Sequence, residues 1–274
     1  AVHGAETAEQ FRANLTAGHR AELDRWTTWP RAMVTDSGST SGFLMPVLEG
    51  DYFIRTAPQD GRAATIVFDL KWLPAKESLA VSEGVDRSRL ADPLIRLALL
   101  AQLVYAVALL HRHDIVYGDI SLANAALALH PPRVKLLDCD ATAPLTDTSR
   151  RQLHSPFFCP PELVGRNGLQ DHRSDVYKLA LCIVRGLQSG AGATQATDPE
   201  RIRPVLGDQA TELVARALHA NPDARPTAAQ LYAALERTLL TQAAPPQLRA
   251  ATLSRHRLPR GRDIVVSWHA TGAS

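Results

Sequence analysis

An α+β fold, with helices massed toward the C-terminal end, is what three features of the sequence predict. A segment apolar on nearly all sides opens at Asp92-Pro93. Pairs of short apolar runs separated by turn residues stand before and after it. Three helix-periodic segments then follow one another beyond residue 170.

The first element is a helix over about residues 5–25, rich in helix formers and free of proline, with Phe11, Leu15 and Leu23 at helical spacing. Pro30 ends that region. Ala32 to Thr35 and Phe43 to Leu48 are apolar runs around the polar turn Asp36 to Gly42, which reads as a hairpin. Residues 51–90 mix turn signals with one strand-like run, Thr65 to Leu70, and their order stays open. Asp92 followed by Pro93 is an N-cap with proline at the first helical position, and the helix it starts runs to about His111. Its apolar surface all round is that of a helix inside a core. Ala125 to Leu129 and Val134 to Leu137 form a second hairpin. Helices follow at Ser174 to Leu187, Thr211 to Ala220 and Thr227 to Leu240. Ala243-Ala244-Pro245-Pro246 is a linker, and Ile264 to Trp268 resembles an early strand of an immunoglobulin-like sandwich.

Composition narrows the function classes. The chain has 274 residues, enough for one large domain or two lobes with a real core. A net charge of +2 leaves no electrostatic footprint for nucleic acid or a membrane surface. The run Leu97 to Leu110 is too short to span a bilayer. Lysine occurs only at Lys71, Lys76, Lys135 and Lys178, every other basic residue being arginine, which reads as GC-rich bacterial coding. Cys139, Cys159 and Cys182 lack paired spacing and read as reduced thiols of a cytoplasmic protein. Starting at Ala1 and stopping at Ser274 in mid-pattern, the sequence is expected to be a piece of a longer polypeptide with further domains.

The chemistry concentrates in Val116 to Asn124 and in Leu136 to Asp140. Asp119, Asn124 five residues on, and Asp138 after a short hairpin make a minimal kit for phosphoryl transfer. One carboxylate orients a hydroxyl, while an amide and a second carboxylate hold the Mg2+ that bridges nucleotide phosphates. Alone, such an Asp-to-Asn string also describes a loop closed by an Asx turn.

The ordered series of motifs resembles the eukaryotic-type protein kinases. His111 to Asp119 matches their run from a long helix into the catalytic loop, Asp138 the Asp of D-F-G, and Pro160-Pro161-Glu162 the motif A-P-E. Ser174-Asp175-Val176-Tyr177 matches the start of their central helix, and Arg225-Pro226-Thr227 their late R-P-[ST]. The G-D-I-x-x-x-N and D-x-D pairing, with Gly42-Phe43-Leu44-Met45-Pro46, is similar to a bacterial subgroup of kinase-like proteins. The resemblance implies a two-lobed fold: a truncated β-rich small lobe over residues 1–48, a mainly helical large lobe over 49–240, and a linker with the start of a β-rich module over 241–274. It implies transfer of the ATP γ-phosphate to a serine or threonine hydroxyl of a protein substrate. Asp119 is then the catalytic base, and Asn124 and Asp138 are the magnesium ligands. Met45, Pro46 and Leu48 form the nucleotide hinge, with Met45 as gatekeeper, and Ser121 lies beside the phosphates. Glu162 and Arg225 become an ion pair, and Asp175 caps the N–H groups of Tyr117 and Gly118.

Departures from the family keep other readings open. Tyr117-Gly118 replaces His-Arg, so control by phosphorylation of the activation segment is not expected. Ser121 stands in place of a lysine, and Asp140 in place of the glycine of D-F-G. No lysine precedes Lys71, and no glycine-rich loop precedes the hinge. Either Ala1-Val2-His3 ends the lysine-bearing strand with His3 substituted and Glu22 as its helix partner, or the sequence starts just after that strand. A pseudokinase scaffold is the alternative these absences favour. Gly118-Asp119 also leans toward small-molecule phosphotransferases of the aminoglycoside and choline kinase type, whereas the motifs after Asp140 side with the protein kinases.

Overall fold

A computed structural model describes residues 2–58, 61, 63–147, 154–155, 157–165, 168–242, 247–253 and 266–271. Where one N-terminal helix was expected there are two, α1 (Val2–Asn14) and α2 (Ala17–Trp26). Thr16 divides them, because its hydroxyl accepts from His19 N at 3.3 Å and gives the second helix an N-cap of its own. Helical backbone from Val2 onward removes the reading of Val2-His3 as the end of a strand. Glu22, its supposed partner, instead accepts hydrogen bonds from Tyr105 and, at 3.1 Å, from Arg112.

Strands β1 (Ala32–Asp36) and β2 (Ser39–Leu44) pair antiparallel from Ala32↔Leu44 to Asp36↔Ser39. Their turn is only Ser37-Gly38, with φ of 48° and 81°, the left-handed pair that matches strand twist in a two-residue hairpin. The strand stops at Leu44, so Met45 to Leu48 is a connection and not part of an apolar strand. A second hairpin joins β3 (Phe53–Thr56) to β4 (Ala64–Val67), and α3 (Glu77–Glu83) follows. The expected strand Thr65 to Leu70 ends early because Asp69 accepts from Lys71 N at 3.1 Å and starts a short turn of helix.

Helix α4 (Pro93–His111) begins as read, with Leu94 N donating to Asp92 Oδ1 at 2.8 Å. It is long and apolar enough to cross a membrane, but 67% of its apolar window is buried in the protein, where it packs on the later helices. Short strands follow: β5 (Ile115–Val116), β6 (Ala125–Leu129), β7 (Pro132–Leu136) and β8 (Ala143–Pro144), paired β5 with β8 and β6 with β7. Alternation along β6 sends Ala125 and Leu127 into the main core. Ala126 and Ala128 face the other way, against Tyr52, Leu48, Val67 and Leu137.

Three helices complete this part: α5 (His172–Leu187), α6 (Arg203–Ala217) and α7 (Ala228–Gln242). Gly207 breaks the helical backbone inside α6, with φ 73° and ψ 174°, which is why helical periodicity reads clearly only from Thr211. In the tail, β9 (Gln247–Leu253) and β10 (Val266–Thr271) form one antiparallel pair. The expected linker 243–246 and Ile264-Val265 lie outside the described residues.

Candidate active site

The site is built on the loop that leaves β5. A capping box between Asp171 and Ser174 starts α5, and this puts Asp175 in its first turn with no exposed surface. Asp175 accepts from Tyr117 N at 2.8 Å and Gly118 N at 2.9 Å, and His111 Nε2 lies 3.0 Å from the same carboxylate. Gly118 has φ of 80°, a left-handed conformation that glycine adopts without steric penalty, and this turns the chain so that Asp119 follows at the loop's crest.

Asn124 closes the loop onto Asp119. Its Nδ2 donates at 2.8 Å both to the Asp119 backbone oxygen and to Asp119 Oδ2. The other carboxylate oxygen, Oδ1, accepts from the Ser155 hydroxyl at 2.7 Å. With its N–H groups committed to Asp119, the Asn124 amide keeps its carbonyl oxygen for another ligand.

Asp138 reaches the same place through the hairpin. Leu137 N donates to Asn124 O at 2.9 Å, and the buried Tyr117 hydroxyl donates to Leu137 O. Asp138 itself is exposed and left-handed, with φ of 48°. Its pKa is raised, first by desolvation and then by the charges of Asp140 and Asp119. Mutual repulsion among these carboxylates is what a cation would relieve. No cage of three or more acidic, His or Cys ligands exists among the described residues. Magnesium does not need one, since it takes one or two protein oxygens and completes its shell with water and phosphate. The hard oxygens of Asn124 and Asp138 fit that pattern.

The other sequence-selected residues fall into two groups. Glu162 and Arg225 form a two-pronged ion pair, with Nη1 to Oε1 at 2.8 Å and Nη2 to Oε2 at 2.7 Å. The connection after β2 is more open: Met45 is 41% exposed, where a gatekeeper would be walled in. Pro46 is half-buried, and Leu48 packs on the Tyr52, Ala126 and Ala128 face together with Leu137, the residue before Asp138. Ser121 is buried, and its backbone oxygen accepts from Asn124 N at 3.3 Å.

Three contacts at the site escaped the sequence. Ser155 has no local signature beyond lying between Asp138 and Glu162. Tyr117 stood out only as a replacement, while its hydroxyl is what joins the Asp119 loop to the Asp138 loop. Lys178 sits one helical turn beyond Asp175, and its Nζ donates to Gly118 O.

A family model described as protein kinase domain matches residues 77–234. Serine/threonine-protein kinase 10 of Danio rerio is 26% identical over 183 residues, which cover 59% of this chain and 18% of that protein. The chain therefore spans less than a fifth of the curated relative it matches. The stretch 77–234 holds Asp119, Asn124, Asp138, Glu162, Asp175 and Arg225, with Met45, Pro46 and Leu48 outside it.

Proposed function

This chain belongs to the protein kinase family, and we propose that it transfers the γ-phosphate of ATP to a serine or threonine hydroxyl of a protein. The observation that carries the reading is the 2.7 Å hydrogen bond from the Ser155 hydroxyl to Asp119 Oδ1. Asn124 fixes one oxygen of that carboxylate, and the other is turned to receive a seryl hydroxyl. An acceptor hydroxyl making this contact is oriented for attack on the γ-phosphorus. A new O–P bond forms as the bond to the bridging oxygen breaks. The electron pair leaves on ADP, and the hydroxyl proton passes to Asp119. Asn124 and Asp138 would hold Mg2+, which when bound neutralises and orients the phosphate oxygens.

Turnover is expected to be slow. Position 121 carries serine and so no cation. Losing one electrostatic donor costs a rate factor of roughly 10² to 10³. The same serine favours the second reading, a non-catalytic scaffold that keeps the fold and a nucleotide. The free Cys139, Cys159 and Cys182 support a reducing, cytoplasmic setting.

Acceptor chemistry is tested by incubating the protein with γ-32P-labelled ATP, Mg2+ and a mixture of generic protein substrates, followed by phosphoamino-acid analysis. Phosphoserine and phosphothreonine are expected. Phosphotyrosine as the main product would overturn the acceptor assignment, and no labelled protein at all would favour the scaffold.

A further inference from the structure

Lys178 lies on α5 with no exposed surface, and the transfer scheme above does not use it. Its Nζ donates to the backbone oxygen of Gly118 and to Gln170 Oε1. Asp175 precedes it by three positions and so shares its face of the helix. That carboxylate takes the N–H of Gly118 at 2.9 Å. One helix face therefore holds a single residue at both of its backbone polar groups, and that residue is the one before Asp119.

The consequence for Asp119 is geometric. Gly118 C=O and Asp119 N–H belong to one planar peptide unit, so a cation that fixes the carbonyl also fixes the amide. Asp119 N in turn donates to Tyr117 O at 3.0 Å, which makes a tight turn whose orientation sets where the carboxylate emerges. Gly118, with φ of 80° and no side chain, puts nothing between the turn and the helix beneath it.

Energetics argue that the amine is more than packing. Burying an ammonium is costly, and an apolar residue of similar size fills such a space at lower cost. Both direct acceptors of Lys178 are neutral. Burial lowers its pKa, and the charges of Asp175 and Asp119 oppose that shift. The carboxylate at the centre of the site is thus among the groups that favour a cation here.

We propose that Lys178 is a positioning residue for Asp119: from beneath the loop it fixes the Gly118–Asp119 peptide and supplies a fixed positive charge where position 121 carries serine. This rests on the reading of Asp119 as the carboxylate that orients the acceptor hydroxyl.

The test compares Lys178→Met, Lys178→Arg and Asp119→Asn, singly and as the Met/Asn pair, in steady-state phosphate transfer. Lys178→Met is expected to lower kcat about 10- to 100-fold, the scale of a misplaced catalytic group, with the KM for ATP within about twofold. Lys178→Arg should recover most of the rate. The double variant should be no slower than Asp119→Asn alone, because both changes act through one carboxylate. Multiplying losses, or a KM effect as large as the kcat effect, would overturn the proposal. If Lys178→Met does not fold, Lys178→Gln, polar but uncharged and one bond too short to keep the contact with Gly118 O, carries the same comparison. If the unaltered protein transfers no phosphate, the functional reading fails by itself. Amide exchange then decides the positioning claim: protection at Tyr117 to Asp119 should drop in the Met or Gln variant while α5 stays protected, and unchanged protection would refute it.

Discussion

Arg225 illustrates how much one side chain can secure. Its fork binds both oxygens of Glu162, its Nη1 also reaches Arg173 O at 3.0 Å, and its Nε reaches His219 O at 2.9 Å. The guanidinium has no exposed surface, while Glu162 is 23% exposed. Glu162→Ala would strand that buried charge. The cost is expected near the lower end of the range for breaking such pairs, about 3 kcal/mol, because the carboxylate side is partly hydrated. Urea unfolding measures it, and a loss below about 1 kcal/mol would contradict the account. At this scale the sequence was readable wherever chemistry is local. Asp119 and Asn124 lie five residues apart in one loop, so their spacing alone implies contact. Ser155 reaches the same carboxylate from 36 positions away, and Lys178 acts on Gly118 from 60 away. Nothing near either residue in the chain marks that destination.

Helix α5 organises the site from below, and its first turn is where pH should act. His172 stacks on His111 with ring centroids 4.0 Å apart, and His111 Nε2 meets Asp175. Burial lowers the pKa of His172 first, and the neighbouring His111 adds to that shift, against Asp175, Asp114 and Asp171. A histidine whose pKa is lower folded than unfolded takes up protons more readily in the unfolded chain. Its contribution is present above the unfolded value, about 6.5, and is lost as pH falls through that value toward the folded one. Stability is therefore expected to drop between pH 7 and pH 5.5, and His172→Gln should flatten that slope. Glu162 acts in a separate, lower window. Desolvation works against its charge, but the Arg225 hydrogen bond holds its pKa below the usual value near 4.5, so its contribution fades only as pH falls below that. Unfolding midpoints at the two pH values, with and without the substitution, check the claim. An unchanged slope would contradict it. Elements with strong end signals, such as α4 behind Asp92-Pro93, were legible to the residue. The division of α1 from α2 at Thr16 was not, because helix formers on both sides hide a single capping hydroxyl. Residues 51–90 were illegible because their short strands and single helical turns are set by partners such as Tyr52 and Ala126, not by periodicity.

Across the whole molecule, the stretch shared with the kinase family carries the main helical core and the three residues of the proposed phosphoryl-transfer centre. The region before it contributes two helices and two hairpins, and α1 packs against the turn that follows Asp138. The fold was legible from Asp92 onward because its motifs are ordered and separated by lengths that a compact lobe must respect. The connection at Met45 was less so, since a hinge depends on the surface that covers it. Asp119, as the carboxylate that orients the acceptor, is the centre of the proposed reaction. The direct measurement is the rate of γ-phosphate transfer at saturating Mg-ATP for the unaltered protein and for Asp119→Asn. A fall of about 10²- to 10⁴-fold is expected, the range for removal of a positioned general base, with the KM for ATP little changed. Equal rates in the two proteins would contradict the account.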